Sequence, residues 1–266
     1  MKAFAFDLDD TLLRDDRSVS DYTLETIDSL RKQGVQPIPS SGRTRKSMLP
    51  ILQVLDFHGI FIACNGAEVW HTEREKPLLQ LFLPADLYYD IIRFGNRHQV
   101  YMQTYERGRF LFNHHSVFSE MYAASSMLEG CCAGNLMELS PEERTKILMI
   151  DREEKIAQMY AEAVGFFGER ASVSCSKTIY LEFNPKDATK GNALRFVADC
   201  LGIDVREIVA FGDGINDLPM LQEAGLSVAV ANARDELKHA CDHVCGSNEE
   251  DGVAHFLNDL INGVIA

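Results

Sequence analysis

The segment Asp7-Leu8-Asp9-Asp10-Thr11-Leu12-Leu13 follows a short apolar run, Ala3–Phe6. Carboxylates this close repel one another, and at the end of a buried strand they also lose water. A fold keeps such a group when a cation arrives to offset it. Further polar clusters stand at comparable places. Ser40, Ser41, Gly42 and Arg43 follow the run Val35–Pro39, and Lys190 opens the stretch Thr189–Leu201. Asp213, Asn216 and Asp217 lie in Gly-Asp-Gly-Ile-Asn-Asp, directly after Ile208–Phe211. These residue types suit one chemistry. Asp7, Asp213 and Asp217 are hard oxygen ligands, of the kind Mg²⁺ takes together with waters and a substrate phosphate. Ser41 and the Gly42 amide can donate hydrogen bonds to phosphate oxygens, and Lys190 adds a compact positive head. A lysine in the first turn of a helix opposes the helix dipole by roughly 0.3–1 kcal/mol. Local rules are broken most often at functional sites.

Each piece alone has a plainer reading. The Asp-Leu-Asp segment reads as a helix cap and turn, the Asp213 segment as a glycine-rich loop, and Lys190 as a surface lysine. Their joint order along one chain carries the case, so the elements around them matter. Ala3–Phe6, Val35–Pro39 and Ile60–Cys64 read as strands, and Ser20–Gln33 and Ser47–Leu55 as helices. The tail alternates in the same way. Helices are expected at Thr189–Leu201, Leu218–Ala224, Asp235–Ala240 and Gly252–Ile261, and strands at Ile208–Phe211 and Leu226–Val230. Strands apolar throughout and alternating with helices mean a parallel sheet covered on both faces. In open sheets of that kind a ligand sits at the carboxyl ends of the strands, where the polar clusters fall.

The middle of the chain has a different rhythm. Val100–Tyr105 with Arg109–Asn113, and Ala171–Cys175 with Ile179–Phe183, read as hairpins. Helices are expected at Leu87–Arg97 and Glu153–Phe167, and a loop around Cys131–Gly134. This is an α+β unit with an antiparallel sheet, set into a parallel α/β unit. The division expected is 1–83 with 184–266 for the outer unit and 84–183 for the insert.

The chain has 266 residues, enough for one large domain or two modest ones, and a net charge of -14. That charge argues against sequence-independent nucleic-acid binding and against docking on an anionic membrane. No apolar stretch approaches bilayer length, and the N-terminus lacks the pattern of a signal peptide. Seven cysteines are an odd number in a chain too long to need staples. A reduced, cytoplasmic protein is expected. His239, Cys241, His243 and Cys245 alternate, but on an extended strand they spread over roughly 20 Å, too far to converge on one zinc ion. A helix end running into a short strand at His243–Cys245 is expected instead. Arg43 and Arg45 would either steer an anionic substrate or be solvated charges at a helix start. In the insert, Arg107, Arg109, His114, His115, Lys177 and Tyr180 are candidates to touch a leaving group, but each by itself reads as an ordinary hairpin residue. Trp70 reads as core.

"DLDDTLL", "SSGRT", the lysine of "DATKGNAL" and "GDGINDLPML" resemble, in order, the four motifs of the haloacid dehalogenase (HAD) superfamily. "CNGAEV" at Cys64–Val69 and the large insert are similar to its Cof-type branch, subfamily IIB. The resemblance implies a Rossmann-like doubly wound parallel sheet with an inserted α+β cap domain. It implies a Mg²⁺-dependent phosphatase acting on a small phosphomonoester, by family habit a sugar phosphate. Asp7 would be the nucleophile, forming an aspartyl-phosphate. Asp9 would be general acid and then base, its backbone carbonyl also on the metal. Ser41, Gly42, Lys190 and Asn216 would hold the phosphoryl group, and Asp213 and Asp217 would complete the metal site with Asp7. Thr11 would brace the loop. A dehalogenase needs neither a metal nor Asp9, so Asp9 argues for phosphoryl transfer. A phosphomutase or phosphotransferase on a hexose phosphate shares all these residues, and a non-enzymatic phospho-switch shares most of them.

Overall fold

The computed structural model describes residues 1–264. The first part of the chain forms β1 (Ala3–Asp7), α1 (Asp21–Lys32), β2 (Gln36–Ser40), α2 (Arg45–Val54), β3 (Ile60–Ala63), β4 (Glu68–His71) and β5 (Leu79–Gln80). The middle forms α3 (Ala85–Arg97), β6 (Tyr101–Glu106), β7 (Arg109–Phe112), α4 (Val117–Ser126), β8 (Gly130–Cys132), β9 (Ile147–Ile150), α5 (Glu153–Phe167), β10 (Ala171–Ser174) and β11 (Tyr180–Pro185). The last part forms α6 (Lys190–Leu201), β12 (Ile208–Gly212), α7 (Leu218–Glu223), β13 (Leu226–Ala229), α8 (Asp235–Ala240), β14 (His243–Val244) and α9 (Gly252–Ile261).

The first sheet draws on both ends of the chain, in the order β14-β13-β12-β1-β2-β3-β4-β5. It is parallel from β14 to β3, and the antiparallel ribbon β4–β5 extends its far edge. β1 is buried along its whole length, as a strand covered on both faces must be. Helices α1, α6, α7 and α9 pack their apolar sides on these strands. Phe4, Phe6 and Phe211 are fully enclosed there, each worth about 1.5–3 kcal/mol of apolar burial. The chain builds β2 and β3 on one side of β1 and returns to build β12, β13 and β14 on the other. The strand order therefore reverses at β1, and the crevice of the fold opens at the end of β1.

Pro37 and Pro39 sit inside β2, where proline normally breaks a ladder. The Gln36 N–H donates to the Lys2 carbonyl on the β1 side. By alternation both prolines then face β3, where the register has a single pair, Ser40 with Ile62. The missing donors fall on the side that has little ladder to lose.

The second sheet runs β10-β11-β9-β6-β7-β8. Both expected hairpins are present, but the sheet is not purely antiparallel. β8 pairs parallel with β7, after a crossover through α4. The expectation of a loop around Cys131–Gly134 is corrected here: Gly130–Cys132 is an edge strand whose residues are all exposed. An exposed run of small residues has no alternation to read. Trp70, expected in the core, packs against the core of the first sheet without being enclosed by it. It lies half-buried on β4, with the Arg45 guanidinium 4.8 Å over its ring and its indole N–H donating to Glu68. No described helix is long and apolar enough to cross a membrane.

The first turn of α6 is pressed against the turn after β3. Gly66 has φ +98° there, and a Cβ added to it would lie 2.2 Å from the Thr189 carbonyl oxygen. Gly66→Ala should therefore lower stability by about 2 kcal/mol, from strain in the left-handed region plus a backbone clash. Urea denaturation measures this, and a loss below a few tenths of a kcal/mol would contradict the packing described.

Candidate active site

β1 and β12 are parallel neighbours with Phe6 opposite Phe211, so Asp7 and the loop after Gly212 leave the sheet side by side. Asp7, Asp213 and Asp217 each offer a carboxylate oxygen, all within 4.8 Å of one another. Among the described residues no other group of three or more His, Cys, Asp or Glu gathers this way, and His239, Cys241, His243 and Cys245 do not. Lys190 enters from the start of α6, fully buried. Its Nζ lies 2.7 Å from Asp7 Oδ1 and 2.5 Å from Asp217 Oδ1. The other Asp217 oxygen accepts the N–H groups of Asp213 and Gly214 at 3.1 and 2.9 Å. Asp217 thus shapes its own loop with both oxygens. The Thr11 hydroxyl donates to Asp213 Oδ1 at 2.8 Å and ties the two loops together.

The electrostatics follow from burial. Loss of water pushes the Asp7 carboxyl well above its ordinary value; Lys190 pulls it back, and Asp217 and Asp213 push it up again. Burial, with the charge of Asp217, raises Asp213 to about 7, against the Thr11 hydrogen bond. Burial alone would lower the Lys190 ammonium, but Asp217 and Asp7 outweigh it and hold the lysine charged. The site is a knot of like charges with one built-in cation.

Asp9 is not in that knot. Its carboxylate accepts two hydrogen bonds from the Arg43 guanidinium, both at 2.7 Å. Burial would raise its carboxyl, but Arg43 outweighs burial and keeps it below the ordinary range. In this conformation the Asp9 carboxylate is taken up by Arg43 and stands outside the Asp7, Asp213 and Asp217 group. Arg43 also donates to Ser47 and, at 3.4 Å, to the Ser125 carbonyl at the end of α4, where Arg17 donates as well at 3.1 Å. Arg45 takes no part in this, being stacked on Trp70.

Ser41, Gly42 and Asn216 line the same cleft as Asp7 and Asp9. Ser41 Oγ accepts the Arg43 N–H at 3.1 Å, and Asn216 donates its amide to Asn65 at 3.3 Å. Of the hairpin residues weighed from the sequence, Lys177 and Tyr180 reach the cleft. Arg109 pairs with Glu106, His114 packs on Tyr101 and His115 on Phe112. Arg107 forms a turn at φ +48°. The sequence reading missed Arg17, Tyr122, Lys146 and Glu182, which also line the cleft. Lys146 and Glu182 carried a signal: each is a charge in an otherwise apolar strand segment, "TKILMI" and "YLEF".

The acidic knot therefore sits at the reversal point of the first sheet, with residues of the second sheet lining the same cleft. The sequence model of haloacid dehalogenase-like hydrolases matches residues 4–257, and the chain belongs to that family. Its relatives include the Bacillus subtilis 5-amino-6-(5-phospho-D-ribitylamino)uracil phosphatase YitU, 29% identical over 97% of both chains. A crystal structure of TM0651 from Thermotoga maritima is 33% identical, with a TM-score of 0.81 over 97% of this chain and 96% of that one. The HAD subclass IIB sugar phosphatase BT4131 shares the fold, with a TM-score of 0.85 and 20% identity over 100% of both chains. The chain is a phosphatase of this family, of its Cof-type branch.

A carboxyl whose folded-state value is raised, such as Asp213, is penalised wherever the unfolded chain has already ionised and the folded one resists. Between about pH 4 and pH 7 the cation-free protein should therefore lose stability as pH rises. A divalent cation held by the three carboxylates should recover it, by about 2.7 kcal/mol at one hundred times its dissociation constant. The gain in melting temperature should be larger at pH 8 than at pH 5.5. Asp213→Asn should melt higher than wild type without added cation and respond little to it. An equal response to divalent cations in that variant would remove Asp213 from the candidate cation site.

Proposed function

We propose that this phosphatase hydrolyses a small phosphomonoester, a sugar phosphate or similar metabolite, with Mg²⁺ and through an aspartyl-phosphate on Asp7. The observation that carries the proposal is the buried Asp7 carboxylate, held 2.7 Å from the Lys190 ammonium within a cluster of acids. An all-oxygen, mutually repelling and buried donor set fits a hard divalent ion. Asp7 and Asp213, the Asp9 backbone carbonyl and a water on Asp217 would hold it. Bound there, Mg²⁺ would supply charge neutralisation between the nucleophile and the phosphoryl oxygens.

The protein's own groups perform the rest. Asp7 Oδ attacks phosphorus, the bond from phosphorus to the leaving oxygen breaks, and the phosphoryl group rests on Asp7. Lys190, Ser41, the Gly42 amide and Asn216 hold its oxygens and take up the charge developing in the transition state. Asp9 gives a proton to the departing alkoxide, then takes one from the water that attacks the phosphoryl-aspartate and frees phosphate. Arg43 keeps Asp9 ionised in the resting site, the form the second step needs. For the first step Asp9 has to part from Arg43 and take up a proton.

We divide the chain into a catalytic core, 1–83 with 184–266, and a cap, 84–183. The cap roofs the cleft, shuts out bulk water and selects the leaving group. The substrates named for the relatives, a phosphoribityl compound for YitU and sugar phosphates for BT4131, support the substrate class. The odd cysteine count supports a place in the reducing cytoplasm.

The purified protein should release phosphate from a generic aryl phosphate with Mg²⁺ and stop on addition of EDTA. Asp7→Asn should lose roughly three orders of magnitude or more in kcat while keeping its fold. Turnover undiminished in that variant would sink the nucleophile assignment.

A further inference from the structure

Lys146 and Glu182 form an ion pair across β9 and β11, with side chains only 3% and 2% exposed. A buried pair is poor evidence of a stabilising role, because apolar residues of similar volume usually do as well or better. The remaining hydrogen bonds of this pair are therefore informative. Both leave the second sheet: one ends on the loop after β2 that carries Ser41 and Gly42, the other on the turn after β3, at Asn65.

Lys146 Nζ donates to the Gly42 carbonyl at 2.9 Å. The N–H of that same peptide, on Arg43, donates to Ser41 Oγ. The peptide is held at both ends. Ser41 Oγ, already an acceptor, has its own O–H left to give to a ligand in the cleft. Glu182 supplies the second branch. Its Oε2 accepts from the Asn65 amide at 3.1 Å, and Asn65 Oδ1 accepts from Asn216 at 3.3 Å. Asn65 holds this bridging position in a left-handed conformation, φ +56°. Asn184, also on β11, donates to the Cys64 carbonyl beside it at 3.0 Å.

We propose that Lys146 and Glu182 are positioning residues: they set the Ser41 hydroxyl and the Asn216 amide, so the phosphate pocket is complete only when the second sheet is seated on the first. This rests on the reading above that Ser41 and Asn216 hold the phosphoryl group. Neither Lys146 nor Glu182 needs to touch it. The roof thereby does more than enclose the substrate, since its root supplies the last constraint on two groups of the floor.

The test is the double variant Lys146→Met/Glu182→Met, which removes both charges and leaves no unpaired one. It should melt near wild type. Inorganic phosphate should inhibit it at least about tenfold more weakly, and kcat/KM for an aryl phosphate should fall by about 10²-fold, the scale of a 1 Å misplacement. Lys146→Arg, which keeps charge and donor but changes reach, should keep its melting temperature and show a smaller loss of phosphate affinity. A folded double variant with wild-type kcat/KM and phosphate inhibition overturns the proposal. Should the double variant not fold, wild-type phosphate affinity in Lys146→Arg does so. Failure of the underlying reading shows elsewhere, as wild-type inhibition by phosphate in Ser41→Ala and Asn216→Ala.

Discussion

Carboxylates do not gather in a protein interior unless something holds them there. In this chain the sheet brings Asp7 and Asp213 to adjacent strand ends, and the loop after β12 folds Asp217 in behind them. Water is largely excluded, so their repulsion is felt in low dielectric. Lys190 answers part of it, and the unanswered remainder is an affinity for positive charge. Much of the surrounding architecture follows from that imbalance. The first turn of α6 is driven into the interior against the usual preference of a helix start, and the turn at Cys64–Gly66 is shaped to let it in.

How much of this could be read beforehand depended on the kind of signal. The parallel sheet was legible because β1, β3, β12 and β13 are largely apolar runs punctuated by helices, with β2 read from its place among them despite its prolines. The acids, the serine and the lysine were legible because each follows such a run or opens such a helix. The middle of the chain was harder. β9 is a buried central strand of the second sheet, yet its residues Ile147–Ile150 show no alternation and no turn residues announce it. α4 and β8 went unread for the opposite reason, α4 having a weak apolar stripe and β8 no buried residue at all. Arg43 illustrates a limit of a different sort. Its type and place were plain, but only the fold shows that it grips Asp9 with both arms of its guanidinium.

Several polar ties join the two sheets, and they meet at the functional groups. The Ser125 carbonyl at the end of α4 receives Arg17 and Arg43, so the arginine that holds Asp9 also touches the roof. Glu182 and Asn184 reach the turn after β3, and Lys146 reaches the loop after β2. Charged contacts between the two units thus lie at the cleft, while the apolar core of the first sheet stays separate from the two apolar clusters on the faces of the second.

The prolines of β2 bear on how those ties can act. With no N–H at Pro37 or Pro39 to offer toward β3, the strand pairs in register with that neighbour only at Ser40, against Gln36 to Ser40 on the β1 side, so β2 ends where its β3 contacts begin. The block formed by β3, β4 and β5 is tied instead just past the strand ends: the Ser41 N–H donates to the Ile62 carbonyl, the Asn65 N–H to the Ser41 carbonyl and the Cys64 N–H to the Arg43 carbonyl. The loop after β2 and the turn that carries Asn65 are thereby laced together by main chain, at the place where Lys146 and Glu182 reach down.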